Sequence, residues 1–230
     1  MAMAAPTAMS TATPPMLTDA RLLTLAQWLS PAYPVGGFAY SHGLESAVRA
    51  GWIADADGLR GWLADVLEHG SGRTDAIWLH LAHGCHDDAA LLALDAQARA
   101  FGPARERLRE GTRQGAAFAR TTAAVWQLEL PEVLLPLTLG RAAQLTGMPP
   151  VPVAALYLHS FAGNLVAAAQ RLMPLGQTAA QGVLADLTPL CTTVAEAAAG
   201  AGLEDIASAA FLSDVAAMKH ETLEPRIFQS

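Results

Sequence analysis

The stretch LRGWLADVL, residues 59–67, shows most clearly how this chain folds. Its apolar residues recur at positions i, i+3, i+4, i+7 and i+8, which places them on one face of an α-helix. These residues are Leu59, Trp62, Leu63, Val66 and Leu67. Either Asp55 or Asp57 is suited to cap the N-terminus of this helix, and Gly70 and Gly72 are predicted to mark its end.

The same helical period continues through the chain on both sides of this stretch. Ile77, Trp78 and Leu81 form a second stripe behind Thr74, a possible cap, and alanine-rich segments favour helix further on. These segments span residues 88–100, 104–129, 153–173 and 189–200. Strand-like alternation and Asn-Gly hairpin signals are missing from the sequence. We therefore predict an all-α fold, a single multi-helix domain of about eight to ten helices.

Composition changes near both ends of the sequence and suggests three parts. Residues 1–17 are uncharged and lack the basic region and continuous apolar stretch of a signal peptide, so residues 1–19 are predicted to be a disordered tail. Residues 20–212 form the predicted helical domain. Residues 213–230 are rich in charge and are predicted to be a separate segment that binds a partner.

Charge and cysteine content limit the function classes. The chain has 230 residues, 52% of them hydrophobic and 15% charged, with a net charge of −7 and a single lysine, Lys219. No block of Lys or Arg forms a stripe, so nucleic-acid binding is not expected. Cys85 and Cys191 lack CxxC spacing, and two free thiols indicate a reducing, cytoplasmic setting.

One uncharged segment, residues 142–170, requires comparison with a membrane span. Its first half contains three prolines, and polar residues such as His159 and Asn164 follow. This mixture is more typical of a buried core helix than of a membrane helix. No membrane partner is expected.

The loop SPAYPVGGFAYSHGLES, residues 30–46, contains three glycines and two prolines. It has neither GK[ST] nor GxGxxG, so a phosphate-binding role is unsupported. Ser41 can cap a helix that begins near His42, with Glu45 close to its positive end. A helix connector explains the glycines and prolines but leaves Phe38 and Tyr40 unexplained, so a connector and a binding loop both remain open.

The tract HLAHGCHDD, residues 80–88, is the strongest candidate for a metal site. His80 and His83 lie one turn apart and could share nickel or zinc, with Cys85 and His86 nearby. On a helical wheel, however, the histidines face away from the apolar stripe, and Gly84 disrupts the helix. A solvated histidine face is therefore favoured, and no metal site is assigned. The alternative is a nickel-binding metallochaperone.

Catalytic patterns are not found in the sequence. No GxSxG elbow accompanies a serine nucleophile, and no paired carboxylates suggest acid–base chemistry. We therefore assign no catalytic residue and no cofactor. The last residues, SDVAAMKHETLEPRIFQS (213–230), mix charges with Met218, Ile227 and Phe228. We expect this segment to become ordered against a partner rather than to pack on its own domain.

Three separated segments resemble the UreF family of urease accessory proteins. The first is SPAYPVGGFAYSHGLE, close to the family pattern SP-x-x-PVG-x-[FY]-x-[YF]-S-x-GLE. The second, YLHSFAGNLVAAAQRLMPLGQT from Tyr157 to Thr178, contains the RL-x-PLGQ ending, and the third is the C-terminal SDVAAMKHETLEPRIFQS. Departures are small: His42 stands where many relatives carry Gln, Lys219 where Arg is common, and Ile227 where Leu is common.

The resemblance implies an all-α homodimer that does no chemistry itself. It implies that the protein bridges a UreG-type nickel GTPase and a UreD-type (or UreH-type) scaffold and helps to load the nickel site of the urease apoprotein. A role as activator of the GTPase, with Arg226 acting in trans, is a further alternative. The predicted partner-binding residues are Phe38, Tyr40, Ser41, His42, Glu45, Met218, Lys219, His220, Glu221, Arg226 and Phe228.

Overall fold

A computed structural model describes residues 19–230, which fold into ten α-helices and two short 3-10 turns without a strand in that range. The helices are α1 (Asp19–Trp28), α2 (Leu44–Arg49), α3 (Ala56–His69), α4 (Ser71–His83), α5 (Asp88–Ala100), α6 (Arg105–Trp126), α7 (Leu135–Leu145), α8 (Pro150–Leu172), α9 (Gln177–Ala198) and α10 (Phe211–His220). The 3-10 turns are Gly37–Ala39 and Leu203–Asp205. The predicted all-α class and helix number are confirmed. The predicted disordered tail lies outside the described residues, apart from Asp19.

The stretch LRGWLADVL forms the middle of α3, as predicted. Asp55 caps the helix, because its carboxylate accepts a hydrogen bond from the Gly58 amide at 2.8 Å. The cap expected at Thr74 is wrong, since α4 begins at Ser71 directly after Gly70. Gly72 lies in the first turn of α4, where a Cβ would approach the Leu67 Cα to 2.7 Å. The two helices therefore meet at a tight corner that only glycines allow.

The core lies among α3, α4, α7, α8 and α9, which pack on one another. On length and composition alone α8 could cross a membrane. Its residues Val153, Leu158 and Val166 are nevertheless buried in the common core, which favours the core-helix interpretation. The helix α9 begins at Gln177, well before the predicted alanine-rich segment at residues 189–200, and Pro189 lies inside it.

The helix α10 packs against α2 and α6 and places the end of the chain beside the loop at residues 30–46. Gly43, with a φ of 80°, directly precedes α2. A Cβ on Gly43 would lie 2.6 Å from the Ala217 amide nitrogen. A side chain at position 43 would therefore push α10 away from α2. The predicted boundary between residues 212 and 213 falls inside α10.

Candidate protein interface

The carboxylate of Glu45 joins the loop at residues 30–46 to the end of the chain. Glu45 is fully buried and accepts hydrogen bonds from the amides of Ile227 at 2.9 Å and Phe228 at 3.0 Å. The His220 ring nitrogen Nε2 lies 3.4 Å away, and Arg49 donates a hydrogen bond at 2.9 Å. Burial by itself raises the pKa of Glu45, but these donors outweigh it and hold the pKa below its ordinary value.

A second carboxylate, Glu106 on α6, holds the same segment from the other side. Its oxygen Oε2 lies 2.7 Å from Nδ1 of His220, which is completely buried between the two glutamates. Its other oxygen accepts a hydrogen bond from the guanidinium of Arg226. The two carboxylates thus supply partners for both ring nitrogens of His220 and for one cation of the C-terminal segment.

Backbone hydrogen bonds also attach the C-terminal segment to the loop at residues 30–46. The backbone oxygen of Ser230 accepts hydrogen bonds from the amide and the hydroxyl of Ser41, and the amide of Gln229 donates to the backbone oxygen of Ala39 at 2.8 Å. The Ser230 hydroxyl donates to Glu110 on α6 at 2.8 Å. Ser41 also accepts from the Glu45 amide at 3.3 Å, as expected of a cap, although α2 begins at Leu44 rather than near His42.

His42 is buried beside this attachment with a left-handed backbone conformation (φ 60°). Its Nε2 lies 2.7 Å from the Ser71 hydroxyl, and its Nδ1 lies 3.8 Å from Glu110. Burial and the nearby Arg107 lower the pKa of His42 to about 4. The ring is therefore neutral near pH 7, and it packs edge-on against Phe161 with 4.7 Å between ring centroids.

A cavity of about 150 Å³ lies behind His42, between α4, α6 and α8. Its polar lining includes Asp75, Arg107 and Tyr157, and the Tyr157 hydroxyl donates to Asp75 at 2.6 Å. Burial raises the pKa of Asp75 to about 6, although the Tyr157 hydrogen bond acts in the opposite direction. The charged groups of this cavity compensate one another within the fold.

The residues that the loop and the C-terminal segment expose form the candidate interface. Phe38 is 74% exposed and Ile227 is 55% exposed. Between them, Arg171 donates to the backbone oxygen of Phe38 at 3.0 Å and lies over the ring of buried Phe228, 4.3 Å from its centroid. Met218 on α10 is also exposed by half. Large exposed apolar groups held on a rigid support are typical of protein interfaces.

The structure divides the predicted partner-binding residues into two sets. The exposed residues are Phe38, Met218, Lys219 and Arg226, and Glu221 is partly exposed. The buried residues are Tyr40, Ser41, His42, Glu45, His220 and Phe228. The expectation that the C-terminal segment packs poorly on its own domain is wrong. Its buried polar groups find their partners in α2 and α6, which lie far away in sequence.

The histidine tract does not form the solvated face predicted from the helical wheel. His80 and His83 are half-buried, and only His86 is exposed. The ring nitrogen Nε2 of His83 lies 2.9 Å from the backbone oxygen of Met148, so this ring has a structural contact. Burial lowers the pKa of His80. Within residues 19–230, no group of three His, Cys, Asp or Glu side chains is placed to hold a metal ion.

Sequence reasoning missed three residues that organise this surface: Glu106, Glu110 and Arg171. Arg171 is the one charged residue of the otherwise uncharged α8, so its charge stands out in sequence. Glu106 and Glu110 lie among the many charged residues of α6 and look like ordinary surface residues. Only their helical phase, in which Glu106 and Glu110 are one turn apart, indicates that they share a face. That phase does not reveal what the face contacts.

Comparisons with known proteins identify the family to which this chain is similar. The family model for UreF matches residues 53–188. A urease accessory protein UreF of Cereibacter sphaeroides (strain KD131 / KCTC 12085) is 54% identical over 212 residues, covering 92% of this chain and all of the relative. Proteins with the same name from Ruegeria pomeroyi (48% identical; 93% of this chain, 98% of the relative) and Bradyrhizobium sp. strain ORS 278 (43%; 92% of each) are also similar.

Proposed function

Because this chain belongs to the UreF family of urease accessory proteins, we propose that it bridges a UreG-type GTPase and a UreD/UreH-type scaffold during nickel insertion into urease. It is an accessory protein of urease rather than an enzyme. Nickel is the cargo of this process, and the apoprotein of urease is its destination. We propose that the complex forms in the cytoplasm. We also propose that this chain takes part as a homodimer, in keeping with the apolar side chains that it exposes.

One observation carries this proposal: the loop at residues 30–46 and the C-terminal segment form a single joined surface. The carboxylate of Glu45 holds the backbone at Ile227, while Arg171 and the hydrogen bond from Gln229 to Ala39 hold the backbone at and beside Phe38. Because the backbone beneath the exposed side chains is already fixed, binding does not have to order it, which increases the affinity available to a partner. We assign contact to Phe38, Met218, Lys219, Arg226 and Ile227, and a supporting role to the buried set.

The alternative roles have less support. A metallochaperone would require convergent ligands from His80, His83 and His86, but the first two are half-buried. An activating arginine would require Arg226 to reach the GTPase, but its guanidinium is bound to Glu106. Either role would require the local contacts to be broken first.

Co-purification tests the proposal. The wild-type chain is mixed separately with purified scaffold and purified GTPase, beside a Phe38→Ala/Met218→Ala variant. We expect the variant to keep its melting temperature, because both side chains are exposed, and to lose binding to at least one partner. Phe101→Ala is the matched control, since Phe101 is an exposed phenylalanine that contacts Trp78 instead.

One outcome would contradict the bridging role, and another would contradict only the assigned surface. If the wild-type chain binds neither partner, the bridging role is wrong. If the wild-type chain binds and the double variant binds equally well, bridging stands, but the joined surface is not where the partners dock.

A further inference from the structure

The helix α6 concentrates the positive charge of this acidic chain. Of the 14 Lys and Arg residues, five lie between positions 105 and 120 of a protein whose net charge is −7. They are Arg105, Arg107, Arg109, Arg113 and Arg120. Two of them fall in the first turn, where the helix dipole disfavours positive charge. Helix stability alone therefore does not account for their placement.

Three of these arginines share one exposed line. Arg105, Arg109 and Arg113 are spaced at i, i+4 and i+8, which places neighbouring Cβ atoms about 6 Å apart on one face of the helix. All three are exposed, and the Arg105 side chain is 85% exposed. We call these three residues the basic stripe. The expectation that no Lys or Arg residues form a stripe is wrong, because the pattern emerges only in helical phase.

The basic stripe is only partly neutralised by its neighbours. The carboxylates of Glu106 and Glu110 on the same helix are buried and turned toward the C-terminal segment. Glu221 binds Arg105 at 2.8 Å, whereas Arg113 donates to the neutral amide oxygen of Gln229. Among the hydrogen bonds and ion pairs of residues 19–230, none involves Arg109. About two positive charges thus remain without a counterion within the described part of the chain.

The basic stripe borders the joined surface described above. Glu221 and Gln229, which contact two of its arginines, belong to the C-terminal segment that also carries the exposed Ile227. A continuous surface of arginine and apolar groups is typical of protein interfaces, where arginine pairs with carboxylates through bidentate hydrogen bonds. An extended basic field of the kind that binds nucleic acid does not surround it, since the chain as a whole is acidic.

We propose that the basic stripe docks an acidic protein surface, one that presents carboxylates about one helical turn apart. The occupant is one of the two partners of the proposed function, on which this inference rests. The joined surface supplies the apolar contact and the basic stripe supplies the charge that sets orientation and speeds association.

The test uses the full chain and Arg109→Glu, because Arg109 has no hydrogen bond or ion pair to lose among residues 19–230. Arg120→Glu is the matched control: it makes the same charge change on the same helix, at an exposed arginine paired with Glu132. Binding to the purified scaffold and to the purified GTPase is measured at about 50 mM and about 300 mM salt, a range over which screening of exposed charges changes strongly. We expect Arg109→Glu to weaken binding to one partner roughly tenfold at low salt, with a smaller difference at high salt.

Each other outcome counts against the inference. If Arg109→Glu binds both partners as the wild type does, or if Arg120→Glu weakens binding equally, the basic stripe is not a docking site and the bridging role survives. If Arg109→Glu loses binding to duplex DNA or to anionic vesicles but keeps its binding to both proteins, the occupant of the basic stripe is not a protein. If the wild-type chain binds neither partner, the bridging role itself fails, which is a distinguishable result.

Discussion

Two regions of this molecule are equally dense in charge but differ in how that charge is used. In the C-terminal segment, His220 lies buried between two glutamates and Arg226 is bound to one of them. On the outer face of α6, Arg109 is exposed and has no such partner in the described part of the chain. Charge density alone therefore does not identify an interface. What matters is whether another element of the fold supplies the opposite charge.

Deleting residues 222–230 should lower the free energy of unfolding more than any of the substitutions described below. The deletion removes the buried Phe228, the two backbone amides that donate to Glu45 and the Arg226 guanidinium that donates to Glu106. Loss of one buried phenylalanine costs about 3–5 kcal/mol, so we expect the free energy of unfolding to fall by at least that amount. Urea denaturation measures it. Ile227→Ser, at an exposed position of the same segment, is the control. If the deletion leaves the urea midpoint unchanged, the segment does not stabilise the domain.

Glu45→Ala should have the next largest effect. It leaves the backbone amides of Ile227 and Phe228 without an acceptor and removes one of the two carboxylates beside His220, at a cost of about 3 kcal/mol. Glu68→Ala, at an exposed glutamate, should change stability by less than about 0.5 kcal/mol. Thermal melting of both variants gives the comparison. Equal melting temperatures for the two would mean that the Glu45 contacts contribute little.

His42→Gln should alter the pH dependence of stability. The unfolded chain binds a proton on His42 near its ordinary pKa of 6.5, while the folded chain does so only near 4. The wild type therefore loses stability from this residue as the pH falls from 6.5 to 4, by about 3 kcal/mol. Asp75, with its pKa raised to about 6, acts with the opposite sign but is present in both proteins.

Unfolding at about pH 7 and about pH 4 measures this difference, since these values lie on either side of the titration of His42. We expect the stability of the wild type relative to His42→Gln to decrease over this range. A constant difference between the two proteins would show that His42 titrates with an ordinary pKa in the folded state. Glutamine serves here because it is polar and cannot take up a proton.

Arg109→Glu should have the smallest effect on folding. An exposed side chain without a partner contributes little, so the free energy of unfolding should change by less than about 0.5 kcal/mol. A urea titration beside the binding assay checks this. A larger loss would mean that Arg109 belongs, like Arg226, to the charge that the fold itself uses.

Features that depend on neighbours within a turn or two could be predicted from the amino-acid sequence. The apolar stripe of LRGWLADVL, the Asp55 cap and the alanine-rich segments predict helices, and the structure has them at nearly the expected places. The three family motifs also indicated that the loop at residues 30–46 and the C-terminal segment matter. These signals are local because helix formation depends on side chains three and four residues apart.

Which of those residues are exposed depends on contacts between elements that lie far apart in sequence. Glu45 meets Ile227 across 182 positions, and His220 meets Glu106 across 114, and no local pattern specifies such pairs. For this reason the sequence predicts that the C-terminal segment becomes ordered against a partner protein. In the structure, α2 and α6 of the same chain already hold it. The basic stripe was overlooked for the reverse reason, because its arginines are neighbours only once the helix forms and its carboxylates turn inward. Burial and pairing are properties of the assembled fold, since a charge is stable in the interior only where distant elements bring the groups that satisfy it.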